Sequence, residues 1–310
     1  METRRIGSLT VSVVGLGCNN FGGRIDADAT QAVVDAAIDA GVTLFDTADV
    51  YGGGGASEEL LGRALGSRRD DVVIATKLGM PMGEGKAGAA PAYVKQSCED
   101  SLRRLGTDRI DLYQLHAPDP TTPIADTLGA FTELVQAGKV LEIGCSNFTP
   151  EQIAEAAAAS ADHGIVRFVS VQNELSLLRR KGAEELVDAC ERHELEILPY
   201  FPLASGMLTG KYRRDEEPPA GTRLAGMPSE RREKALSDRA FDLVEALDAF
   251  ATERGHTLLE LAMSWLAGLP RMGSVIAGAT KPEQVRANAA AVGWSLSDED
   301  RDEIDRLTRP

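Results

Sequence analysis

The sequence predicts a closed (β/α)8 barrel, a single α/β domain over residues 1–310 with extended loops at the C-terminal face of the barrel. Three observations carry that expectation. Short β-rich runs alternate with helical patterns almost from end to end. The runs are near-continuously apolar, as parallel strands covered on both faces are. The strand-then-helix unit recurs eight times, the number that closes a barrel. A doubly wound sheet is the competing architecture, but no glycine-rich dinucleotide fingerprint follows the first strand.

In chain order, VSVVGLG (11–17) is the first expected strand and is followed by a helix over 28–40. TLFDTA (43–48) leads into 57–66, VVIATK (72–77) into 91–105, and IDLYQLH (110–116) into 123–138. VLEIGCSN (140–147) precedes 150–161, and FVSVQNE (168–174) precedes 183–193. EILPYF (196–201) precedes 238–267, with Gly255 as a break point, and GSVIAGA (273–279) precedes 281–292. Pro91, Pro123, Pro150 and Pro282 sit at or near first turns, where the missing N–H of proline removes no helical bond. Two segments interrupt the rhythm, 78–90 and 202–237, and both follow strands. They are therefore expected on the C-terminal face, where barrel sites are built, and long loops of this kind are commonly functional.

The chain of 310 residues is 43% hydrophobic and can bury a large core. With 48 acidic against 33 basic residues its net charge is -15, which argues against nucleic acid and anionic membranes as partners. An anionic ligand then needs a locally basic site. Cys18, Cys98, Cys145 and Cys190 show neither CxxC nor metal-ligand spacing, so no metal site is expected. The N-terminal METRRIGSLTVSVVGLG has no apolar signal-peptide core, and no run of about 20 apolar residues occurs. A reduced, cytoplasmic chain is the expectation. No feature of the sequence specifies an oligomeric state.

Polar side chains at the carboxyl ends of different strands converge in a barrel. Here they are Asp46, Lys77 and His116, with Tyr51 on the loop just beyond Asp46. Tyrosine is a weak acid, with a pKa of about 10. A neighbouring ammonium would lower that value, a carboxylate would keep the ammonium charged, and a histidine could place a carbonyl oxygen beside the phenol. Each residue has a plain structural reading: Asp46 as a turn cap, Lys77 reaching to solvent, His116 as a satisfied histidine and Tyr51 as a rim aromatic. Together at matching strand ends they read as a catalytic group. Glycines 52–55 let the backbone beside Tyr51 approach a ligand closely.

FDTADVYGGGGASEELLGRAL, IDLYQLH, GKVLEIGCSNF, VQNELSLL, PLASGMLTGKY and IAGATKPEQVRANAAAV resemble the signature blocks of the aldo-keto reductase superfamily, in order, from about residue 5 to 295. The resemblance implies a nicotinamide cofactor bound in extended form without a Rossmann fold. It implies that Tyr51 is the proton donor to a small-molecule aldehyde or ketone, tuned by Lys77 and Asp46, while His116 orients the carbonyl. Ser146, Asn147 and Gln172 match the carboxamide site, and Tyr200 the ring that stacks on the nicotinamide. Pro202, Leu203, Ala204 and Ser205 follow along the pyrophosphate, with Lys211 and Arg223 at its charges. Gly278, Thr280, Gln284 and Asn288 fall at the adenosine, and Cys18, Asn19 and Arg24 at the first cofactor loop. Phe21, Met80, Met82, Phe201 and Met207 are expected, with Tyr51 and His116, to line the substrate space.

Four positions depart from the pattern: Ala287 replaces an acidic residue common near the adenine, and Phe201 a small hydroxyl residue. Cys18-Asn19 replaces a Thr-Trp pair of some members, and the glycine run is longer than usual. Thr280, Lys281 and Arg286 favour NADPH, with NADH possible, because a phosphate rewards a hydroxyl and cations. A second reading is an NADPH-binding regulatory subunit resembling potassium-channel β-subunits. Those relatives tend to carry Asn where this chain has His116. A third, a Schiff-base Lys77, wants a lowered lysine pKa, and Asp46 beside it would raise that pKa instead.

Overall fold

The structure, a computed structural model, describes residues 1–308. Its first element is a hairpin, β1 (Thr3–Ile6) and β2 (Leu9–Ser12), paired antiparallel. Eight parallel strands follow: β3 (Val14–Gly17), β4 (Leu44–Asp46), β5 (Val73–Leu78), β6 (Ile110–Leu115), β7 (Val140–Ser146), β8 (Ser170–Gln172), β9 (Glu196–Ile197) and β10 (Val275–Gly278). They are ordered β10-β3-β4-β5-β6-β7-β8-β9. A parallel bridge between Ile197 and Met272, with the Ile197 N–H donating to the Arg271 carbonyl at 2.7 Å, brings the last edge to the first. The fold is a (β/α)8 barrel.

The expected strand over 11–17 divides in two. Val11 and Ser12 pair within the hairpin, the Val13 N–H donates to the Glu2 carbonyl, and the barrel strand starts at Val14. A seven-residue apolar run does not show this division, because both pieces are apolar. The hairpin places Ile6, Leu9 and Val11 in one cluster with the barrel residues Leu44, Ala75, Leu112, Val169, Leu198 and Ile276. It thus plugs the N-terminal end of the barrel.

The helices are α1 (Ala27–Asp39), a single turn α2 (Tyr51–Gly54), α3 (Ala56–Leu65), α4 (Pro91–Leu105), α5 (Ile124–Gln136), α6 (Pro150–His163), α7 (Ala183–His193), α8 (Ser229–Ala235), α9 (Asp238–Glu253), α10 (Leu258–Ala267), α11 (Pro282–Ala290) and α12 (Asp298–Thr308). Their apolar faces and the outer faces of the strands form the main core. Local chemistry sets their ends. Thr149 with Gln152 and Thr257 with Glu260 form capping boxes, and Gly106 and Gly164 end helices in the left-handed conformation. The 238–267 pattern breaks around Gly255, as its composition suggests, into α9 and α10. Three helices lie outside the expected eight: the single turn α2 before 57–66, α8 within the long 202–237 segment and α12 near the C-terminus. Among the described residues no helix is long and apolar enough to cross a membrane.

Candidate active site

Every second side chain of a strand points into the barrel. At the C-terminal ends of β4, β5, β6 and β8 those positions are Asp46, Lys77, Gln114 and Gln172. Lys77 is fully buried, and its Nζ donates to Asp46 Oδ2 at 2.7 Å and to the Thr47 carbonyl at 2.8 Å. Asp46 Oδ1 accepts from Gln172 Nε2 at 2.9 Å and Gln114 Nε2 at 3.2 Å. An ion pair removed from water is tolerable only when its remaining lone pairs are met, and the two glutamines meet them. Burial draws the Lys77 ammonium down, but Asp46 and then Tyr51 outweigh it, and its pKa ends above the ordinary lysine value.

Tyr51 stands on the turn after β4, with its N–H bonded to the Ala48 carbonyl at 3.1 Å. Lys77 Nζ lies 5.2 Å from its ring centroid, and the His116 ring meets it edge-on at 5.8 Å. Two glycines beside it are required by the backbone. Gly52 has φ 72°, and a Cβ there would sit 2.7 Å from the Phe21 carbonyl oxygen. Gly55 has φ 102°, and a Cβ there would strike the side chain of Arg104. Burial raises the Tyr51 phenol above its usual pKa, Lys77 pulls it back, and Asp46 pushes it up again. Lys77 does lower the phenol, as expected, but burial outweighs it and the net pKa lies above the ordinary tyrosine value. His116 is pushed down to about 3, first by burial and then by Lys77, and so is neutral at physiological pH. Its buried Nδ1 has no hydrogen-bond partner among the described residues.

From Tyr51 and His116 a cleft of about 550 Å³ runs across the C-terminal face to the start of α11. Asn147 (φ 61°) stands at its middle, its Nδ2 donating to the His116 carbonyl at 2.9 Å and its Oδ1 accepting from the Tyr200 hydroxyl at 2.9 Å. Ser146 Oγ donates to the Gln172 carbonyl at 2.7 Å. Phe201 (φ 53°) and Ser205 (φ 59°) also line the cleft in the left-handed region, a strained backbone of the kind that clusters at ligand sites. Beyond them stand Arg24, Lys211 and Arg223. Arg24 donates to the Gly221 carbonyl at 2.7 Å, and Arg223 donates to Asn19 Oδ1 and Asn20 Oδ1 while lying over the Phe201 ring. Among the described residues none of these three cations pairs with a carboxylate. Burial and mutual repulsion hold the pKa values of Lys211 and Arg223 below their usual range. Unneutralised cations lining one cleft of an acidic protein call for an anionic ligand.

Residues 13–309 match the model of the aldo/keto reductase family. The chain belongs to that family. It is 33% identical over 308 residues to the aldo-keto reductase YhdN of Bacillus subtilis, covering 96% of this chain and 90% of that one. It is also 33% identical over 301 residues to a probable voltage-gated potassium channel subunit beta of Arabidopsis thaliana, covering 94% and 91%. The solved structure of a glycerol dehydrogenase from Gluconobacter oxydans superposes with a TM-score of 0.85 at 32% identity, covering 98% of this chain and 94% of that one.

In this aldo/keto reductase chain the cleft wall contains Asn19, Asp46, Tyr51, His116, Ser146, Asn147, Gln172, Tyr200, Pro202, Leu203, Ser205, Lys211, Arg223, Gly278, Thr280, Gln284 and Asn288, all expected there. Lys77 lies beneath the floor, its charge turned to Asp46. Cys18 and Phe21 are corrections: both are fully buried and neither reaches the cleft. Cys18 Sγ turns back to the Leu16 carbonyl, and Phe21 joins the core, while Asn20 between them bonds the Ala279 carbonyl at 3.0 Å and faces the cleft. Met207 is likewise core, and Met80 and Met82 lie outside the lining, so Phe201 alone of the apolar candidates stands at the rim. Gln114 was not singled out from the sequence. It sits on β6 two residues before His116, which follows the strand end, and that period marks it.

Proposed function

We propose that the protein is a carbonyl reductase using a reduced nicotinamide dinucleotide, with Tyr51 as its proton donor. The observation that carries this reading is the Tyr51 phenol at the cleft floor, between the Lys77 ammonium and the neutral His116 imidazole. The cofactor, when bound, supplies hydride to the carbonyl carbon. Tyr51 Oη gives its proton to the carbonyl oxygen, and burial keeps that phenol loaded at neutral pH. Lys77 stabilises the phenolate left behind, and Asp46 with its two glutamines keeps Lys77 charged and fixed. His116, being uncharged, can donate one N–H to the same oxygen. In the reverse direction Tyr51 takes the proton as its phenolate, a form that its raised pKa makes scarce near neutrality.

The cleft residues fit such a cofactor. Gln172 spends its amide nitrogen on Asp46, which leaves its Oε1 for the nicotinamide carboxamide beside Ser146 and Asn147. Tyr200 would stack on the ring, and Pro202, Leu203 and Ser205 would follow the pyrophosphate toward Lys211 and Arg223. Asn19 and Arg223 would close over it from two sides. Gly278, Thr280, Gln284 and Asn288 would receive the adenosine. NADPH is the preferred form, since Thr280 and Lys281 line the far end and Arg286 is exposed on α11. A regulatory, slowly turning subunit is the second reading, because relatives named as channel β-subunits are as similar as the reductases. His116 beside Tyr51 supports turnover over that reading.

The test is a titration of the purified protein with NADPH and NADH by quenching of intrinsic fluorescence. Loss of reduced-nicotinamide absorbance is then followed with 4-nitrobenzaldehyde and with glyceraldehyde, the second prompted by the glycerol dehydrogenase. Tight binding with turnover is expected. Tight binding without turnover on either substrate favours the regulatory reading, and absence of nicotinamide binding overturns both.

A further inference from the structure

Asp49 lies three residues after Asp46 and two before Tyr51, yet its carboxyl does not face the cleft. It is fully buried and reaches α4, where the Ser97 hydroxyl donates to Oδ2 at 3.3 Å; Oδ1 has no partner among the described residues. The one guanidinium nearby is spent elsewhere. Arg104 Nε donates to Glu58 Oε2 at 2.6 Å, and Thr76 donates to Glu58 Oε1 at 2.5 Å, so the neighbouring carboxylate takes both the cation and the hydroxyl. The remaining groups that face Asp49 offer no charge to replace it. Tyr93 comes from α4, and Tyr113 from β6 with its hydroxyl unpartnered among the described residues. Lys77 contributes only its carbonyl, which accepts from the Asp49 N–H at 3.1 Å, while its ammonium is committed to Asp46.

This cluster frames the catalytic turn on two sides. Before Tyr51, Asp49 fixes the backbone to β5 and α4. After Tyr51, Arg104 packs on Gly55 and holds it between α3 and α4. We propose that Asp49 is a positioning residue for Tyr51, keeping the 46–51 segment in its reactive arrangement as an uncharged acid and releasing it on ionisation. A carboxyl with one bare buried oxygen and no cation is stable neutral and costly charged. Burial first, then Glu58, push it up to about 7, against Arg104, Ser97 and the Val50 N–H. Once charged, it faces Glu58 without a counterion. The segment that can yield runs into the glycines 52–55, and it carries Tyr51.

The proposal rests on Tyr51 as the proton donor, and the experiment separates the two. The kcat of the wild-type protein and of Asp49→Asn is measured with saturating NADPH and 4-nitrobenzaldehyde from about pH 5.5 to 9. One pH unit above its pKa a group keeps roughly one-tenth of its protons, so wild-type kcat falls about tenfold by roughly pH 8. Asp49→Asn keeps its kcat within about twofold over the same range, by the same proton linkage, with KM for NADPH unchanged. Ser97→Ala removes the one hydroxyl that favours the charged form, and it moves the wild-type limb to higher pH. A limb that persists in Asp49→Asn overturns the proposal. If Asp49→Asn does not fold, an unmoved limb in Ser97→Ala overturns it instead. Tyr51→Phe is assayed alongside: full turnover there sinks the Tyr51 reading, whereas its loss with a persistent limb in Asp49→Asn sinks only the role of Asp49.

Discussion

Replacing Lys77 by Met removes the charge at the centre of the barrel floor while keeping the length of the side chain. The wild-type ammonium makes two bonds, to Asp46 Oδ2 at 2.7 Å and the Thr47 carbonyl at 2.8 Å, in a fully buried site. Lys77→Met leaves Asp46 with only the Gln114 and Gln172 amides on Oδ1, and Oδ2 bare. Breaking one side of a buried pair costs roughly 3–5 kcal/mol, and the two surviving amides place this case near the lower end. With an unfolding entropy of roughly 2 cal/mol/K per residue, a loss of about 3 kcal/mol lowers Tm by about 5 °C in a chain of this length. Asp46→Asn with Lys77→Met removes both charges together, and the double variant regains all but about 1 kcal/mol. Calorimetry of the two single variants and the double measures the coupling directly. A Lys77→Met variant within about 1 kcal/mol of wild type, or a double variant as unstable as the sum of the singles, refutes this account of the floor. Turnover reports separately: with Lys77 gone nothing stabilises the Tyr51 phenolate, and kcat falls roughly 10²-fold or more even where the fold is retained.

Further expectations follow from the same geometry. His116 is neutral in the folded chain down to about pH 3, whereas an unfolded histidine takes up a proton below about pH 6.5. Stability therefore falls as pH drops through that window, and His116→Gln shows a shallower fall in a pH series of Tm. Arg223→Ala removes an unneutralised cation from the cleft, and NADPH affinity drops by about tenfold or more, given about 1.5–3 kcal/mol for a charged hydrogen bond; equal affinity by fluorescence titration would place Arg223 outside the cofactor site. Gly55→Ala meets both a positive φ and the Arg104 side chain, and it destabilises by roughly 1–3 kcal/mol in urea unfolding. Phe201→Gly relieves a left-handed non-glycine residue. It lowers Tm by less than a core Phe→Gly change, since Phe201 is 37% exposed, and it widens the range of aldehydes accepted.

The barrel was legible because buried parallel strands write themselves as apolar runs, and the candidate site because Asp46, Lys77 and His116 interrupt those runs at matching ends. Where the reading failed, the reason was three-dimensional. Val11 to Gly17 is one apolar run whether it forms one strand or two, and only the hairpin partner at 3–6 shows the division. Cys18, Asn19, Asn20 and Phe21 follow a strand end in a tight turn, where no period assigns faces, so the sequence alone points Cys18 and Phe21 to the cleft and leaves Asn20 unmarked. The direction of the Tyr51 shift is set first by how deeply the phenol is buried, which outweighs the lowering by Lys77. That burial belongs to the packed turn, and spacing along the chain does not encode it.

The hairpin plug has a consequence for proton traffic. Directly below the Asp46, Lys77 and Gln114 layer lie Leu44, Ala75 and Leu112, and below them the hairpin side chains. That stack is apolar, and among the described residues its side chains carry no titratable group, so the ion pair has no side-chain relay on that side. If Tyr51 is the proton donor proposed above, its phenolate would be recharged from the mouth of the cleft, the opening through which ligands would enter and leave. Each occupancy would then deliver one proton, and the acid would be restored once the product had left. Buffer acids too large for an occupied cleft would leave the bound-state chemistry untouched and act on the free protein alone.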